Sequence, residues 1–455
     1  MQAAIAANRF GLGARPGDLA EIGNDHRDWL LSQLTAESTT EPSGLTSAAI
    51  VDQFQSLQQN RNDAGRADEE DRAEEAAQAY RSFIREQYLS QSVSRYEIAT
   101  ATDAPFRERL VHFWSNHFAV SADKQVVTPL AGTLENEAIR PHVSGCFADM
   151  LLAVEKHPAM ILYLDNQLSM GPESRAARGA ARRGGDRGLN ENLAREILEL
   201  HTLGVSGGYN QDDVTTFAKV LTGWSIAGDR DSQSATGEFV FRSNAHEPGA
   251  KTILGKRYSE DGEGEGEAVL ADLARHPATA RFLAEKLARH FVADDPPPEL
   301  IEELADTYTR HDGDLGALYE TLVGAPVAWE TPLAKFKTPE DFLISTYRGF
   351  NQQPDNPQRL ITFLELLGQR PYTPGSPAGW PDTMAHWDGG DALIKRIEWA
   401  IAAGRQIGDR VRPEVLAAEI LGPVLGDHTR TALSRAESSS QGLTLLLASS
   451  EFQRR

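Results

Sequence analysis

Cysteine is almost absent from this sequence, which has one, Cys146, in 455 residues. A single cysteine excludes an internal disulfide and a zinc site made only of cysteines. Cys146 precedes Phe147 and stands among apolar residues. We interpret it as a small core residue rather than a nucleophile, because free cysteine is among the most buried residue types.

Long apolar runs are also missing. No stretch approaches the roughly 20 apolar residues that cross a bilayer, so we expect no membrane span. Residues 1–10 lack the basic start and the long apolar stretch of a secretory signal. We therefore expect a cytoplasmic protein, or a periplasmic one if a targeting signal has been removed.

Basic residues are in deficit. The 45 lysines and arginines face 66 acidic residues, which gives a formal net charge of −21. A field of this sign repels phosphate backbones, so we expect no nucleic-acid partner. We interpret the acidic surface mainly as a source of solubility.

Several well-known catalytic motifs do not occur. The sequence has no P-loop, no dinucleotide-binding glycine fingerprint, no H-E-x-x-H and no G-x-S-x-G. Nucleotide hydrolysis, nicotinamide chemistry and the commonest serine hydrolase fold therefore lose support.

Helical periodicity dominates what is present. Apolar residues recur at three- and four-residue spacing through most long stretches, while strand-like alternation is scarce. This predicts a mainly α, multi-helix globular fold with one small β-hairpin near 238–254, formed by 238–241 and 251–254. Helix should exceed half of the residues and strand should stay below a tenth. We expect a single large helical domain over 1–455, with a soft boundary at the acidic glycine-rich turn 258–267.

The segment 190–203 predicts a helix with an asparagine cap and a glycine stop. Projection at about 100° per residue places four polar side chains, Asn192, Arg195, Glu196 and Glu199, on one face. The same projection places His201 in the opposite, apolar arc. One straight helix therefore cannot direct both glutamates and His201 at one ion.

Two interpretations of this polar face remain open. The two glutamates could hold a cation, with Arg195 and Asn192 beside them as catalytic residues, in which case they face the interior. Alternatively the face is exposed and Arg195 pairs with a neighbouring glutamate.

The segment 107–120 predicts a second helix with two histidines. His112 shares a face with Asn116 and lies near Arg109, while His117 falls about 140° away among apolar residues. His117 and His201 are therefore both predicted to be buried. On separate helices they could face a common centre, either a metal or the plane of a haem; alternatively they are core histidines with hydrogen-bonded rings.

Two loops add candidates. His246, next to an acid in a turn after the predicted strand, is a further metal ligand. The metal-ligand candidates are thus His246, Glu196, Glu199 and His112. The basic segment 171–187, with Arg182 and Arg183, has few apolar anchors and is predicted to be poorly packed, as a lid over an anionic ligand would be.

Several long motifs resemble a bacterial family known as "domain of unknown function 1800", of which the chain is identified as a member. The matching stretches, which extend over nearly the whole chain, are Asn8-Arg9-Phe10-Gly11-Leu12-Gly13, 112–117, 190–204, Leu221-Thr222-Gly223-Trp224, 246–255, Leu367-Gly368-Gln369-Arg370-Pro371 and Gly379-Trp380-Pro381. The resemblance implies a mostly helical fold and no particular reaction. Many relatives carry export signals and are encoded beside sulfatase-like proteins, which implies a sulfatase-like partner.

The His201 helix also resembles, weakly, the proximal-histidine region of animal-type haem peroxidases, with His117 as the distal residue. The spacing between the two histidines is much shorter here, so a divalent metal is favoured over haem. Two hypotheses follow. The chain is a metal- or haem-dependent enzyme of unknown reaction with its site at helices 107–120 and 190–203, or it is a non-catalytic helical scaffold or chaperone for the sulfatase-like partner.

Overall fold

Helices account for 62% of the residues that the structure describes, and the strands among them form two small antiparallel sheets. The computed structural model describes residues 1–36, 42–66, 70–181, 188–228, 231, 234–330, 333–354 and 356–455. The mainly α fold class is confirmed, as are the expected proportions of helix and strand. The single-domain organisation stays a prediction.

The α-helices in this part of the chain vary from a single turn to 32 residues. They are α1 (Gln2–Ile5), α2 (Asp18–Ile22), α3 (His26–Ser32), α4 (Ser47–Ala64), α5 (Glu70–Ala101), α6 (Pro105–His117), α7 (Ala131–Leu134), α8 (Phe147–Glu155), α9 (Pro158–Tyr163), α10 (Arg175–Ala181), α11 (Asn192–Glu196), α12 (Gln211–Val220), α13 (Glu263–Ala274), α14 (Pro277–Phe291), α15 (Pro298–Arg310), α16 (Leu315–Gly324), α17 (Pro339–Gly349), α18 (Pro357–Leu366), α19 (Gly390–Ile407), α20 (Pro413–Leu421), α21 (Asp427–Ser434) and α22 (Ser439–Ala448). Short 3₁₀ turns lie at Arg140–His142, Asn166–Leu168, Pro326–Trp329, Met384–His386, Gly408–Arg410 and Gly422–Val424.

Local sequence explains many of the helix starts. Proline occupies the first turn of α6, α9, α14 and α17, where its missing N–H costs no hydrogen bond. At α12 a capping box forms: the Asn210 side chain accepts from the Asp213 N–H, and the Asp213 carboxylate accepts from the Asn210 N–H at 3.0 Å.

Three α-helices or helical turns continue into π-helix, at Ala6–Phe10, Glu135–Ile139 and Ile197–His201. A π-turn closes from residue i to i+5, so residues five apart lie on one side, whereas in an α-helix they diverge. The segments Glu135–Ile139 and Ile197–His201 carry ionisable residues that are discussed with the site.

The two sheets differ in pairing from the expected hairpin. Strand β1 (Trp224–Ile226) pairs with β2 (Phe239–Phe241), and β3 (Lys251–Ile253) pairs with β4 (Lys256–Tyr258). The expected pairing of 238–241 with 251–254 was wrong. Leu254 and Gly255 both have positive φ, 50° and 77°, which is the two-residue turn that joins adjacent antiparallel strands. This turn allows β3 to pair with β4, the next strand along the chain.

The start of the basic segment is anchored. The N–H groups of Gly171 and Ala176 donate to the carbonyls of Ala245 and Asn244 at 2.9 and 2.8 Å, and the Glu173 N–H donates to the Glu247 carboxylate. For 171–176 the expectation of poor packing was therefore wrong. Arg182 and Arg183, with the rest of 182–187, lie outside the described residues.

Helix α6 lies at the centre of the molecule. Both its apolar face and most of its ionisable side chains are buried, including Glu108, Arg109, His112 and His117. Within the described chain, no helix combines the length and the hydropathy needed to cross a membrane.

Candidate functional site

A cavity of about 80 Å³ opens between α5, α6, α17 and the loop 369–382. The side chains that give it chemical character are Arg95, Arg109, His112, Glu340, Asp341 and His290, with Asp382 beside the last. His112, Asn116 and Arg109 all line this cavity, which agrees with their predicted placement on one side of the helix.

On α6, Glu108 and His112 are one helical turn apart and face the same way. Arg140 holds Glu108 through both of its terminal nitrogens, with Nη2 2.9 Å from Oε1. His112 Nε2 lies 3.5 Å from Glu108 Oε1 and makes no hydrogen bond of good geometry. His112 Nδ1 faces Glu340 of α17 at 3.8 Å.

The π-helix Glu135–Ile139 completes this cluster. Glu135 and Arg140 are five residues apart, and the π-turn places both on the side that faces α6. Arg140 Nη2 lies 3.5 Å from Glu135 Oε1, and Arg95 of α5 forms a close ion pair with the other Glu135 oxygen. Neither oxygen of Glu135 has a hydrogen bond of good geometry.

Glu108, His112 and Glu135 form a candidate metal centre. One ligand atom from each lies within 4.8 Å of the others, all three residues are buried, and they are the only such group of histidines and carboxylates found in the described residues. One imidazole and two carboxylates suit Zn²⁺, Mn²⁺ or Fe²⁺. Arg140 and Arg95 already contact the carboxylate oxygens and would orient them toward an ion. Each oxygen keeps a further lone pair that could bind the ion.

The arginines and burial together set the electrostatics of the cluster. Burial alone would raise the pKa values of Glu108 and Glu340, but Arg140 and Arg95 outweigh it and hold both pKa values below their usual range. Burial, reinforced by Arg95, lowers the pKa of His112, so the imidazole is neutral at pH 7. The buried carboxyl groups of Glu108, Glu135 and Glu340 thus face two guanidiniums and a neutral imidazole.

At the other end of the cavity, His290 of α14 meets Asp382. His290 Nδ1 lies 2.8 Å from Asp382 Oδ2, and His290 Nε2 has no hydrogen-bond partner. Burial lowers the pKa of His290 to about 4, although Asp382 acts in the opposite direction. For Asp382, burial is outweighed by His290 and the flanking cations, which lower its pKa.

One wall of the cavity is strained. Tyr372 has φ of +53°, a conformation that is rare for a bulky residue, and its carbonyl accepts from the Ala122 N–H at 2.7 Å. The Arg95 guanidinium lies over the Tyr372 ring at 5.4 Å. Strain of this kind is concentrated at functional sites.

His117 and His201 are both buried, as predicted, with exposed fractions of 1% each. His117 Nε2 lies 3.1 Å from the His201 carbonyl, and His201 Nδ1 lies 2.7 Å from Glu155 Oε1. Phe118 packs against both rings, with centroid distances of 4.5 and 5.2 Å. A porphyrin between the two imidazoles would have to displace Phe118, so these residues do not fit haem axial ligation as they stand.

The polar face predicted on 190–203 is not part of the cavity. Asn192 is exposed, Glu196 and Glu199 are half-buried, and Arg195 pairs with Glu191 at 2.9 Å. The pKa of Glu196 is raised, chiefly by burial and also by Glu199.

The helical projection failed in the last turn of this helix. The chain from Ile197 to His201 is π-helix, so the α-helical spacing of about 100° per residue does not describe this turn. The inference that Glu196 and His201 point apart assumed about 100° per residue throughout, and it stays a prediction.

His246 lies in a separate buried cluster. Its Nδ1 is 2.9 Å from the Thr222 carbonyl, and its Nε2 is 3.3 Å from Glu265 Oε2 and 3.4 Å from Lys251 Nζ. Of the four predicted metal ligands, only His112 belongs to the three-residue group described above.

Sequence reasoning missed several site residues. Glu108 could have been found, since it stands one helical turn before His112. Glu135, Glu340, His290 and Asp382 are brought in from distant parts of the chain, and no short motif marks them.

Fold and site together define a mainly helical protein with a buried histidine–carboxylate centre beside a polar cavity. The chain matches the model of the family described as a protein of unknown function (DUF1800) over residues 5–454, and it belongs to that family. No curated protein and no solved structure matches it significantly.

Proposed function

We propose that this protein is a metal-dependent enzyme whose centre is formed by Glu108, His112 and Glu135. The observation that supports this most is the buried convergence of one imidazole and two carboxylates within 4.8 Å, next to a cavity that His112 itself lines. Buried carboxylates repel each other unless a cation or a proton lies between them.

The chain's own residues would have distinct roles. His112, kept neutral by burial and Arg95, offers a nitrogen lone pair without first losing a proton. Arg140 contacts both oxygens of Glu108 and Arg95 pairs with Glu135, and these contacts fix the orientation of the two carboxylates. A divalent cation bound here would polarise a substrate oxygen or lower the pKa of a bound water.

Metal binding is tested directly. Purified protein is stripped with a chelator and titrated calorimetrically with Zn²⁺ and with Mn²⁺, and the metal content of untreated protein is measured by mass spectrometry. We expect one ion per chain, no binding by Glu135→Gln or His112→Gln, and roughly 10- to 100-fold weaker binding by Arg140→Lys, which alters a supporting contact.

The matched control is Glu199→Gln, which changes a glutamate of the polar face that does not line the cavity. It should bind the ion as the wild type does. Loss of binding in Glu199→Gln but not in Glu135→Gln would contradict the proposed centre.

The non-catalytic hypothesis also has a specific observation in its favour. Every carboxylate of the cluster contacts an arginine, as in a structural ion-pair network that joins α5, α6 and α17. Protein that binds neither ion would support that network and the scaffold function. The sulfatase-like partner stays a prediction, to be tested by co-purification with the neighbouring gene product.

A further inference from the structure

We propose that His290, oriented by Asp382, is a general base that acts on a water or hydroxyl group in the same cavity. This inference shares the cavity with the proposed metal centre but does not depend on a bound ion. Neither residue contacts Glu108, His112 or Glu135 in the hydrogen bonds and ion pairs of the described chain.

Two hydrogen bonds hold the loop that carries Asp382 against α6. The Asn116 side chain donates to the Trp380 carbonyl at 2.9 Å and accepts from the Trp380 N–H at 2.7 Å. Gly379 has φ of +83°, and a Cβ there would lie 2.3 Å from the Asn116 carbonyl oxygen. Only glycine therefore allows this approach, which places the Asp382 carboxylate at His290.

Asp382 determines which nitrogen of His290 is free. A carboxylate accepts a hydrogen bond, so the proton lies on Nδ1 and the lone pair on Nε2. Nε2 has no hydrogen-bond partner, although it is shielded from bulk solvent. A buried imidazole nitrogen without a partner is costly unless a ligand or a water occupies that position.

The surroundings keep His290 neutral, and Asp382 offsets part of the cost of protonating it. Burial, together with Arg455 and Arg109, disfavours the imidazolium, while Asp382 favours it, and the resulting pKa is about 4. Phe113 and Phe291 pack against the ring, with centroids at 5.2 and 4.8 Å, and restrict its rotation. The ring is thus a free base at neutral pH with a carboxylate ready to balance its charge.

The step that this arrangement supports is hydrolysis or acyl transfer at a carbonyl. Nε2 takes the proton of a water or hydroxyl as its oxygen attacks the carbonyl carbon, and the imidazolium returns that proton to the departing alkoxide. Ester and water give acid and alcohol, so no further reactant is needed. Asp341 pairs with both Arg109 and Arg455, and Glu340 pairs with Arg95, each at 2.9 Å. Because these charges engage one another, the cavity suits a small, uncharged polar substrate.

The probe is p-nitrophenyl acetate, an activated ester small enough to test for hydrolysis that depends on His290. We compare wild type, His290→Gln and Asp382→Asn with His428→Gln, which removes a histidine exposed on α21. His290→Gln should lower the rate above buffer on the order of 100-fold. Asp382→Asn should also be slower, and His428→Gln should match the wild type.

Because a base must be unprotonated, the wild-type rate should stay level from pH 8 down to about 5 and fall only near the His290 pKa of about 4.

All assays are repeated with a chelator, and metal binding by His290→Gln is measured by calorimetry. Activity that depends on His290 and survives chelation supports the general base, even if the protein binds no metal. Metal binding that His290→Gln retains supports the metal centre, even if His290 is not a general base. Equal rates in wild type and His290→Gln, with both variants folded by circular dichroism, would overturn the proposal.

Discussion

At the scale of single residues, the site depends on charges that are buried in pairs. Arg140 and Glu108 have exposed side-chain fractions of 8% and 4%, whereas Arg195 and Glu191 have 39% and 29%. A buried charge that loses its partner keeps its desolvation cost, while an exposed one is solvated again. The two pairs should therefore respond very differently to the same substitution.

We expect Arg140→Met to lower the free energy of unfolding by about 3–5 kcal/mol, because it leaves Glu108 buried without its partner. The measurement is urea denaturation at pH 7 in a chelating buffer. Arg195→Met, the control, should change the free energy by less than about 1 kcal/mol. The double variant Glu108→Gln/Arg140→Met should recover part of the loss, and equal effects of the two single variants would contradict the buried pairing.

At the scale of elements, the sequence pattern predicted α-helices well and irregular turns poorly. Apolar periodicity located α6 and the helix that begins at α11, because it depends on neighbouring residues. The predicted Asn190 cap was wrong, since the N-cap of α11 is Glu191. The π-turn of Ile197–His201 has no comparable local signal, so a projection at about 100° per residue does not describe it. The pairing of β3 was decided by the turn at Leu254 and Gly255, which the sequence does contain.

A substitution at Gly379 tests whether the contact with α6 holds the loop 369–382 in place. We expect Gly379→Ala to destabilise the protein by about 1–3 kcal/mol and to raise hydrogen exchange in 376–382, because φ of +83° and the Asn116 carbonyl both exclude a Cβ. The measurements are urea denaturation and exchange monitored by mass spectrometry.

Gly375 supplies the control in the same loop. No atom lies within 4 Å of a Cβ built there, and Gly375→Ala should leave both quantities nearly unchanged. Similar exchange in the two variants would show that the close approach to Asn116 does not hold the loop.

At the scale of the whole molecule, the candidate site is a product of distant contacts. Arg95, Glu108, Glu135, Glu340 and Asp382 come from five separated segments, so only the tertiary fold brings them together. Sequence reasoning identified His112 because its helix could be predicted, and it identified the Gly379-Trp380-Pro381 stretch by resemblance alone. The role of that stretch, carrying Asp382 to His290, required the structure.

The buried histidines make global stability depend on pH. Burial lowers the pKa of His117 and of His290, the latter to about 4, so near pH 6.5 the unfolded chain takes up protons that the folded chain does not. The stability contributed by the neutral rings is therefore present above the unfolded pKa and is lost as pH falls toward the folded values, by up to about 1.4 kcal/mol per pH unit for each histidine.

Urea denaturation at pH 7, 6 and 5 with a chelator present should show this decline in the free energy of unfolding. His117→Asn should reduce the slope of that free energy against pH by nearly the contribution of one proton. His428→Gln, at an exposed position, should leave the slope unchanged. An unaltered slope in His117→Asn would mean that His117 takes up its proton equally well in the folded protein.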